Sequence, residues 1–310
     1  MSLKASIDIG TNATRLLVAE VAGQEIRPVL MQERITRLGM GMERSGSLAE
    51  EAMQRVIHVL KDYSSICQVH GVAEYRTLAT SAVREAENGR RFIARIKSET
   101  GLEPRILSGE EEALLSYFGA TSDHQARRPV MVCDIGGGST EFVLSNENGI
   151  ALNKSLPLGS RRATARFVLS DPVAREQISR MEQEIHWQLN SSLQPIARVA
   201  ECVCVGGTAT TLAMMAEHVD ISSPDAVHLH TLEKKDLLAI IDLLSALTVA
   251  ERKKITGLHP DRADVVLTGA VIVRCIMDHL QIDKTTVSVR DLLFGIFLNH
   301  NVHGPKPRPT

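Results

Sequence analysis

The chain has 310 residues and a formal net charge of −2, so no global positive field draws it to nucleic acid or to a membrane surface. An aromatic content of 3% argues against a base-stacking surface for single strands, and no apolar run is long enough to span a bilayer. The five cysteines are odd in number, three lie in apolar strand-like runs, and no signal peptide opens the chain, which reads as a cytoplasmic protein with reduced thiols.

In chain order the alternation of apolar residues predicts strands at 4–9, 14–21 and 25–32. A helix follows over about 48–70, then a strand at 73–79, a helix from near Asn88, a strand near 105–107 and a helix opened by Ser108. Ser108 with Glu111 reads as a capping box. The second half opens with strands at 130–134, 140–145 and 150–155, and a helix near 161–168. A longer helix is expected to start at Asp171 as N-cap, with Pro172 at its first position and an apolar stripe of Ile178, Met181, Ile185, Leu189 and Leu193. A buried strand at 202–205 ends in Gly206-Gly207, a helix is expected from Ala209, and three helices with a short strand at 286–288 complete the pattern. Residues 301–310, with three prolines, read as a disordered tail.

A meander of three strands followed by alternating helices and strands occurs twice, which predicts a two-lobed α/β protein. The repeat is visible residue by residue. Asp8-Ile9-Gly10-Thr11-Asn12 aligns without gaps on Asp134-Ile135-Gly136-Gly137-Gly138, at an offset of 126 residues (134 less 8). A carboxylate that ends a strand beside a glycine turn can hold a metal or a water, and the N–H groups of the turn can hold phosphate oxygens. The two turns are expected to face each other across a cleft that takes a polyphosphate group.

The candidate phosphate-binding residues are Asp8, Gly10, Thr11 and Asn12 in the first half and Gly136, Gly137, Gly138, Ser139 and Thr140 in the second. The competing reading of Gly136–Gly138 is a tight hairpin between buried strands. Gly206, Gly207 and Thr208 place backbone donors at a strand end and a helix start, a favourable anion site, against the plainer reading of a strand-to-helix turn. Neither loop has the lysine of a Walker A sequence. Asp134 and Glu141 are placed to bind one hard divalent cation such as Mg²⁺. Their first-half counterparts are Asp8 and Arg15, so the metal is expected in the second lobe. His228 with His230 and Cys202 with Cys204 are pairs at spacing two without further ligands nearby, and read as structural.

Seven collinear stretches carry a family resemblance. They are Asp8–Asn12, Ala79-Thr80-Ser81-Ala82-Val83-Arg84-Glu85-Ala86, Ser108-Gly109-Glu110-Glu111-Glu112-Ala113, Asp134–Glu141, Leu156-Pro157-Leu158-Gly159-Ser160, Gly206-Gly207-Thr208-Ala209-Thr210-Thr211 and Gly257-Leu258-His259-Pro260-Asp261-Arg262-Ala263-Asp264. Together the chain resembles the Ppx/GppA phosphatase family of exopolyphosphatases and guanosine pentaphosphate phosphohydrolases, in its short two-domain form. The resemblance implies two actin-like, ribonuclease H-like lobes related by duplication. These are 1–124, with a last helix at about 290–300 packing back on it, and 125–289. It implies release of terminal phosphate from polyphosphate or guanosine pentaphosphate, assisted by Mg²⁺. Glu112 aligns with the family's catalytic glutamate and is read as the base or water-orienting residue, and Arg84 as the phosphate-clamping arginine. Arg34, Arg37, Arg90, Arg91, Arg161, Arg162 and Arg166 are looser candidates for a phosphate track. A homodimer is left open. One segment departs from the pattern. Where the family has Gly-Leu-Arg-Glu-Gly, this chain has Asp291-Leu292-Leu293-Phe294-Gly295, without the Arg and Glu. Two other readings stay open: an ATP-using kinase or ATPase of the wider fold, and a non-catalytic binder of a phosphorylated alarmone or polyphosphate.

Overall fold

The structure is a computed structural model and describes residues 2–193, 196 and 199–298; the tail expected at 301–310 lies outside the described residues. The chain begins with β1 (Ser2–Ile9), β2 (Ala13–Ala22), β3 (Glu25–Ile35), α1 (Met42–Ser45), α2 (Glu50–Val69) and β4 (Glu74–Ala79). It continues with α3 (Ser81–Glu85), α4 (Gly89–Thr100), β5 (Arg105–Ile106) and α5 (Gly109–Ala120). The second series is β6 (Val130–Ile135), β7 (Thr140–Asn146), β8 (Gly149–Leu156), α6 (Ser160–Phe167), α7 (Arg175–Ser192), β9 (Glu201–Val205) and α8 (Gly206–Ala216). Then come β10 (His230–Glu233), α9 (Lys234–Ala246), α10 (Val249–Arg252), α11 (Val266–His279), β11 (Lys284–Val287) and α12 (Leu292–Leu298).

Two sheets result. The first has the order β3-β2-β1-β4-β5, the second β10-β11-β9-β6-β7-β8. In each, three strands form an antiparallel meander and the first of them pairs in parallel with a strand reached through a helical crossover. Read as β1/β6, β2/β7, β3/β8, β4/β9 and β5/β11, the two sheets are the same arrangement made twice, with β10 added at one edge. This is a two-lobed α/β architecture. Residues 2–122 with 291–298 form one unit, and Asp123–Arg290 the other.

The period of two in β2 distributes the core of the first unit over both faces of its sheet. Leu16 and Val18 join Ile7, Ile9 and the α2 stripe of Val56, Ile57 and Leu60 on one face. Leu17 and Ala19 join Leu78, Leu115 of α5 and Leu292, Leu293, Phe294, Ile296 and Phe297 of α12 on the other. Helices α5 and α12 each follow the fifth strand of their repeat, yet both pack in the first unit. Their backbones meet closely because two glycines permit it. A Cβ on Gly119 would lie 1.9 Å from the Asp291 carbonyl oxygen, and one on Gly295 1.8 Å from that of Leu115. In the second unit Met131, Cys133 and Ile135 of β6 pack with α7, α8 and α11. All five cysteines are buried and free.

The expected stripe of α7 is buried throughout, but its expected start is not observed. The helix begins at Arg175 after Ala174. The Asp171 carboxylate instead accepts the Val249 N–H at the start of α10, at 2.9 Å, so a distant contact outcompetes the local cap. Four elements were not anticipated, α1, α3, β10 and α10; each is five residues or shorter, too short for a periodic signal. Helix α8 starts at Gly206 rather than Ala209, which brings both glycines into its first turn. Among the described residues no helix is long and apolar enough to cross a membrane.

Candidate active site

In the first unit, β1 carries Asp8 to the end of a buried strand, and the Gly10 N–H closes the turn onto the Ala13 carbonyl at 3.0 Å. The carbonyls of Thr11 and Asn12 accept the N–H groups of Gly39 and Arg37, which ties the turn to the loop beyond β3. Arg15 stands opposite Asp8 in the β1–β2 register. Its Nε and Nη2 donate to Asp8 Oδ2 at 3.1 and 2.7 Å, and its Nη1 donates to Asp291 Oδ2. One partly buried guanidinium therefore serves two buried carboxylates, 5% and 3% exposed. Burial raises the Asp8 pKa above its ordinary value; Arg15 opposes that rise, while Asp291 adds to it. For Arg15, burial is outweighed by the two acids, and the guanidinium stays protonated.

Arg84 sits on α3, and Glu112 in the first turns of α5. The Arg84 Nη1 donates to Glu112 Oε2 at 2.7 Å and to the Leu107 carbonyl at 3.1 Å. The two residues assigned separate roles from sequence are thus brought together, with Arg84 orienting a glutamate that is only 8% exposed. Glu111 does the capping work. Its backbone N–H donates to Ser108 Oγ, and its carboxylate accepts from the Ser108 N–H and from Arg105. Burial alone would raise the Glu111 pKa, but these donors hold it below the usual carboxylate range.

In the second unit Asp134 and Glu141 are direct cross-strand partners of β6 and β7, on one face, 9% and 2% exposed. Ser155 of β8 donates to Glu141 Oε1 at 2.6 Å and holds its side chain in place. The Asp134 carboxylate lies against the start of α8. A Cβ on Gly206 would come within 2.6 Å of its Oδ1, and this residue has φ +86, so glycine is required twice over. The first N–H groups of α8 have no intrahelical acceptors and lie beside Asp134. Asp134 and Glu141 offer two hard oxygen donors on one face, the donor type that suits a small divalent cation, and among the described residues no third His, Cys, Asp or Glu joins them.

The glycine turn is built more firmly than a hairpin needs. Gly136 N–H donates to Ser139 O at 3.0 Å, the same closure as in the first turn. The Gly136 and Gly137 carbonyls accept from the start of α6, and Arg162 Nε donates to Gly138 O at 2.8 Å. The Thr140 hydroxyl donates to the Leu158 carbonyl. Thr140, expected from the sequence as a phosphate donor, is a strand residue 0% exposed whose hydroxyl meets a neighbouring carbonyl. Ser139 carries the turn's other hydroxyl. Thr208, in the first turn of α8, is 7% exposed and packs its methyl against Gly269.

Sequence reasoning missed two charged neighbours of these loops. The Arg262 guanidinium lies so close to Gly207 that a Cβ there would meet it at 2.1 Å. Arg262 falls inside one of the matched stretches, so the signal was present. Asp291 falls in the segment that departs from the family pattern, and nothing local links it to Arg15. Of the looser arginines, Arg161 donates to Asp264 at 3.0 Å and Arg166 to Glu184 at 2.9 Å, while Arg34, Arg90 and Arg91 are exposed. His228 Nε2 donates to Asp123 Oδ2 at 3.0 Å while its Nδ1 accepts the Val289 N–H, a structural arrangement.

Comparison with known proteins gives the family. The model of the Ppx/GppA phosphatase family matches residues 17–301. Exopolyphosphatase 2 of Mycobacterium tuberculosis is 35% identical over 95% of this chain and 97% of its own length. The solved exopolyphosphatase of Cytophaga hutchinsonii superposes with a TM-score of 0.86 at 28% identity, covering 95% of this chain and 96% of that one. A solved Aquifex aeolicus PPX-GPPA enzyme gives 0.80 at 30% identity, covering 96% and 99%. The chain belongs to the Ppx/GppA phosphatase family.

Proposed function

We propose that the chain is a phosphohydrolase that releases terminal phosphate from inorganic polyphosphate, with guanosine pentaphosphate as a second substrate. The observation that carries this reading is the duplicated Asp-Ile-Gly turn. In the second copy it pairs two buried carboxylates, Asp134 and Glu141, beside the start of α8.

Hydrolysis of a phosphoanhydride needs the phosphoryl group held in line, its charge neutralised and a water deprotonated. The first N–H groups of α8, the Arg262 guanidinium and the Ser139 hydroxyl suit phosphate oxygens. Glu112, oriented by Arg84, is assigned to the attacking water and takes its proton. Asp134 and Glu141 would hold Mg²⁺, which when bound supplies charge neutralisation at the phosphoryl oxygens.

The test is phosphate release from polyphosphate and guanosine pentaphosphate side by side, with Mg²⁺ and with chelator. Release that depends on the metal is expected. Release from neither substrate would overturn the reading, and undiminished release in chelator would remove the metal from it.

A further inference from the structure

We propose that Asp291 is a positioning residue for the phosphohydrolase reaction, acting through Arg15 to hold Asp8 with one oxygen clamped and the other presented. The inference rests on the functional reading above, together with the expectation from the sequence that the Asp8 turn is a phosphate-binding element.

The geometry is confined to three side chains. Asp8 Oδ2 accepts both Arg15 Nε and Nη2, while Asp8 Oδ1 is buried and accepts no hydrogen bond. A buried carboxylate oxygen without a donor costs free energy, and such groups persist where a ligand or water supplies the partner. Arg15 alone does not fix that arrangement, because an arginine side chain has four rotatable torsions. Its remaining Nη1 is anchored by Asp291 Oδ2, so the guanidinium is held from both sides. Asp291 is itself fixed, since its Oδ1 accepts the Leu293 N–H at 3.1 Å and its carbonyl accepts the Phe294 N–H at 3.0 Å. The last helix of the chain thereby delivers a carboxylate to the first turn of the chain.

The residues that follow Asp291 are apolar and closed to water: Leu292, Leu293 and Phe294 are 2%, 0% and 1% exposed in the core. The acid at the head of this segment is directed to Arg15. A merely structural tether is the competing account. It predicts that losing the Arg15 contact affects stability and leaves the reaction untouched.

Asp291→Asn separates the two accounts. The Asn side-chain oxygen still accepts the Leu293 N–H, while its amide presents donors rather than an acceptor to Arg15. We expect kcat to fall about tenfold with KM little changed, and no further fall when Asp291→Asn is added to Asp8→Asn. A second readout needs no turnover. The carboxyl carbon of Asp8, assigned by its loss in Asp8→Asn, is titrated by NMR in wild type and in Asp291→Asn. The charged groups whose fields reach Asp8 are Arg15, Asp291 and Glu33. Removing the Asp291 charge leaves Arg15 to Asp8 alone, so its titration should move to lower pH. An unmoved titration, an unchanged kcat, or full losses that multiply in the double variant would each overturn the inference. Wild-type protein that releases no phosphate would count against the functional reading, and the Asp8 titration would still decide the coupling.

Discussion

Glu111 and Glu112 are adjacent, but successive helical residues point about a hundred degrees apart and the two carboxylates do different work. Glu111 closes the cap of α5 and Glu112 meets Arg84. Glu112→Gln keeps an oxygen for Arg84 but removes the proton acceptor, so kcat should fall roughly hundred- to ten-thousand-fold with substrate affinity nearly unchanged. Glu111→Gln retains a capping-box side chain and should cost at most about 1 kcal/mol of stability. Steady-state kinetics and melting of both variants check the assignment; loss of turnover only in Glu111→Gln would move the catalytic role by one residue. Asp134→Asn and Glu141→Gln each remove a hard oxygen, and both should raise the Mg²⁺ concentration needed for half-maximal turnover while the fold persists. Unchanged metal dependence in both would exclude them as ligands. Asp8 offers a pH test. Burial raises its folded pKa above 3.8, so the stability it confers is present below that value and is lost as pH rises through the folded pKa. The stability of wild type relative to Asp8→Asn should therefore fall as the pH rises from acid to neutral, as paired melts at several pH values would read. A gap independent of pH would contradict the burial argument.

At the scale of elements, α12 is the least conventional. It is seven residues long, short of what an isolated helix needs, and its stability comes from packing against α5 and the β1–β2 face. Leu293 and Phe294 fill that interface, Ser6 Oγ donates to the Leu293 carbonyl at 2.8 Å, and Arg76 donates to Ile296 O at 2.6 Å. Positions 293 and 294 are thus filled by core packing. Phe294→Ala should cost about 3–5 kcal/mol by denaturant titration, as for other large-to-small changes in a core. The pair Leu293→Arg with Phe294→Glu, which restores the family residues, should destabilise as well, because these sites are closed to water. A neutral effect of that pair would mean that the segment can open.

At the scale of the whole molecule, the chain order and the units do not coincide. The second unit is continuous, Asp123–Arg290, with its own core around β6, α7 and α11. The first is closed only when the chain returns as α12. A fragment of residues 123–290 should fold cooperatively by itself, whereas a chain ending at 290 should expose the face formed by Leu17, Leu78, Leu107 and Leu115 and aggregate. Circular dichroism and light scattering on the two fragments check this; a soluble, cooperatively melting chain ending at 290 would show that α12 is dispensable.

The sequence by itself determined the repeated meander, the Asp-Ile-Gly turns, the cap at Ser108 and the stripe of α7. Each of these is written in residues a few positions apart, where strand alternation, helical spacing and the freedom of glycine act locally. It also placed Asp134 opposite Glu141 and Asp8 opposite Arg15, because a short turn sets the register of an antiparallel pair. The tertiary structure decided what long-range partners make of those residues. Arg15 and Asp291 are 276 positions apart, Arg84 and Glu112 are 28 apart, and Asp171 caps a helix 78 residues away. No local pattern encodes such pairs. They exist because burial in a packed core forces each charged or polar group to find whichever partner the fold brings within reach.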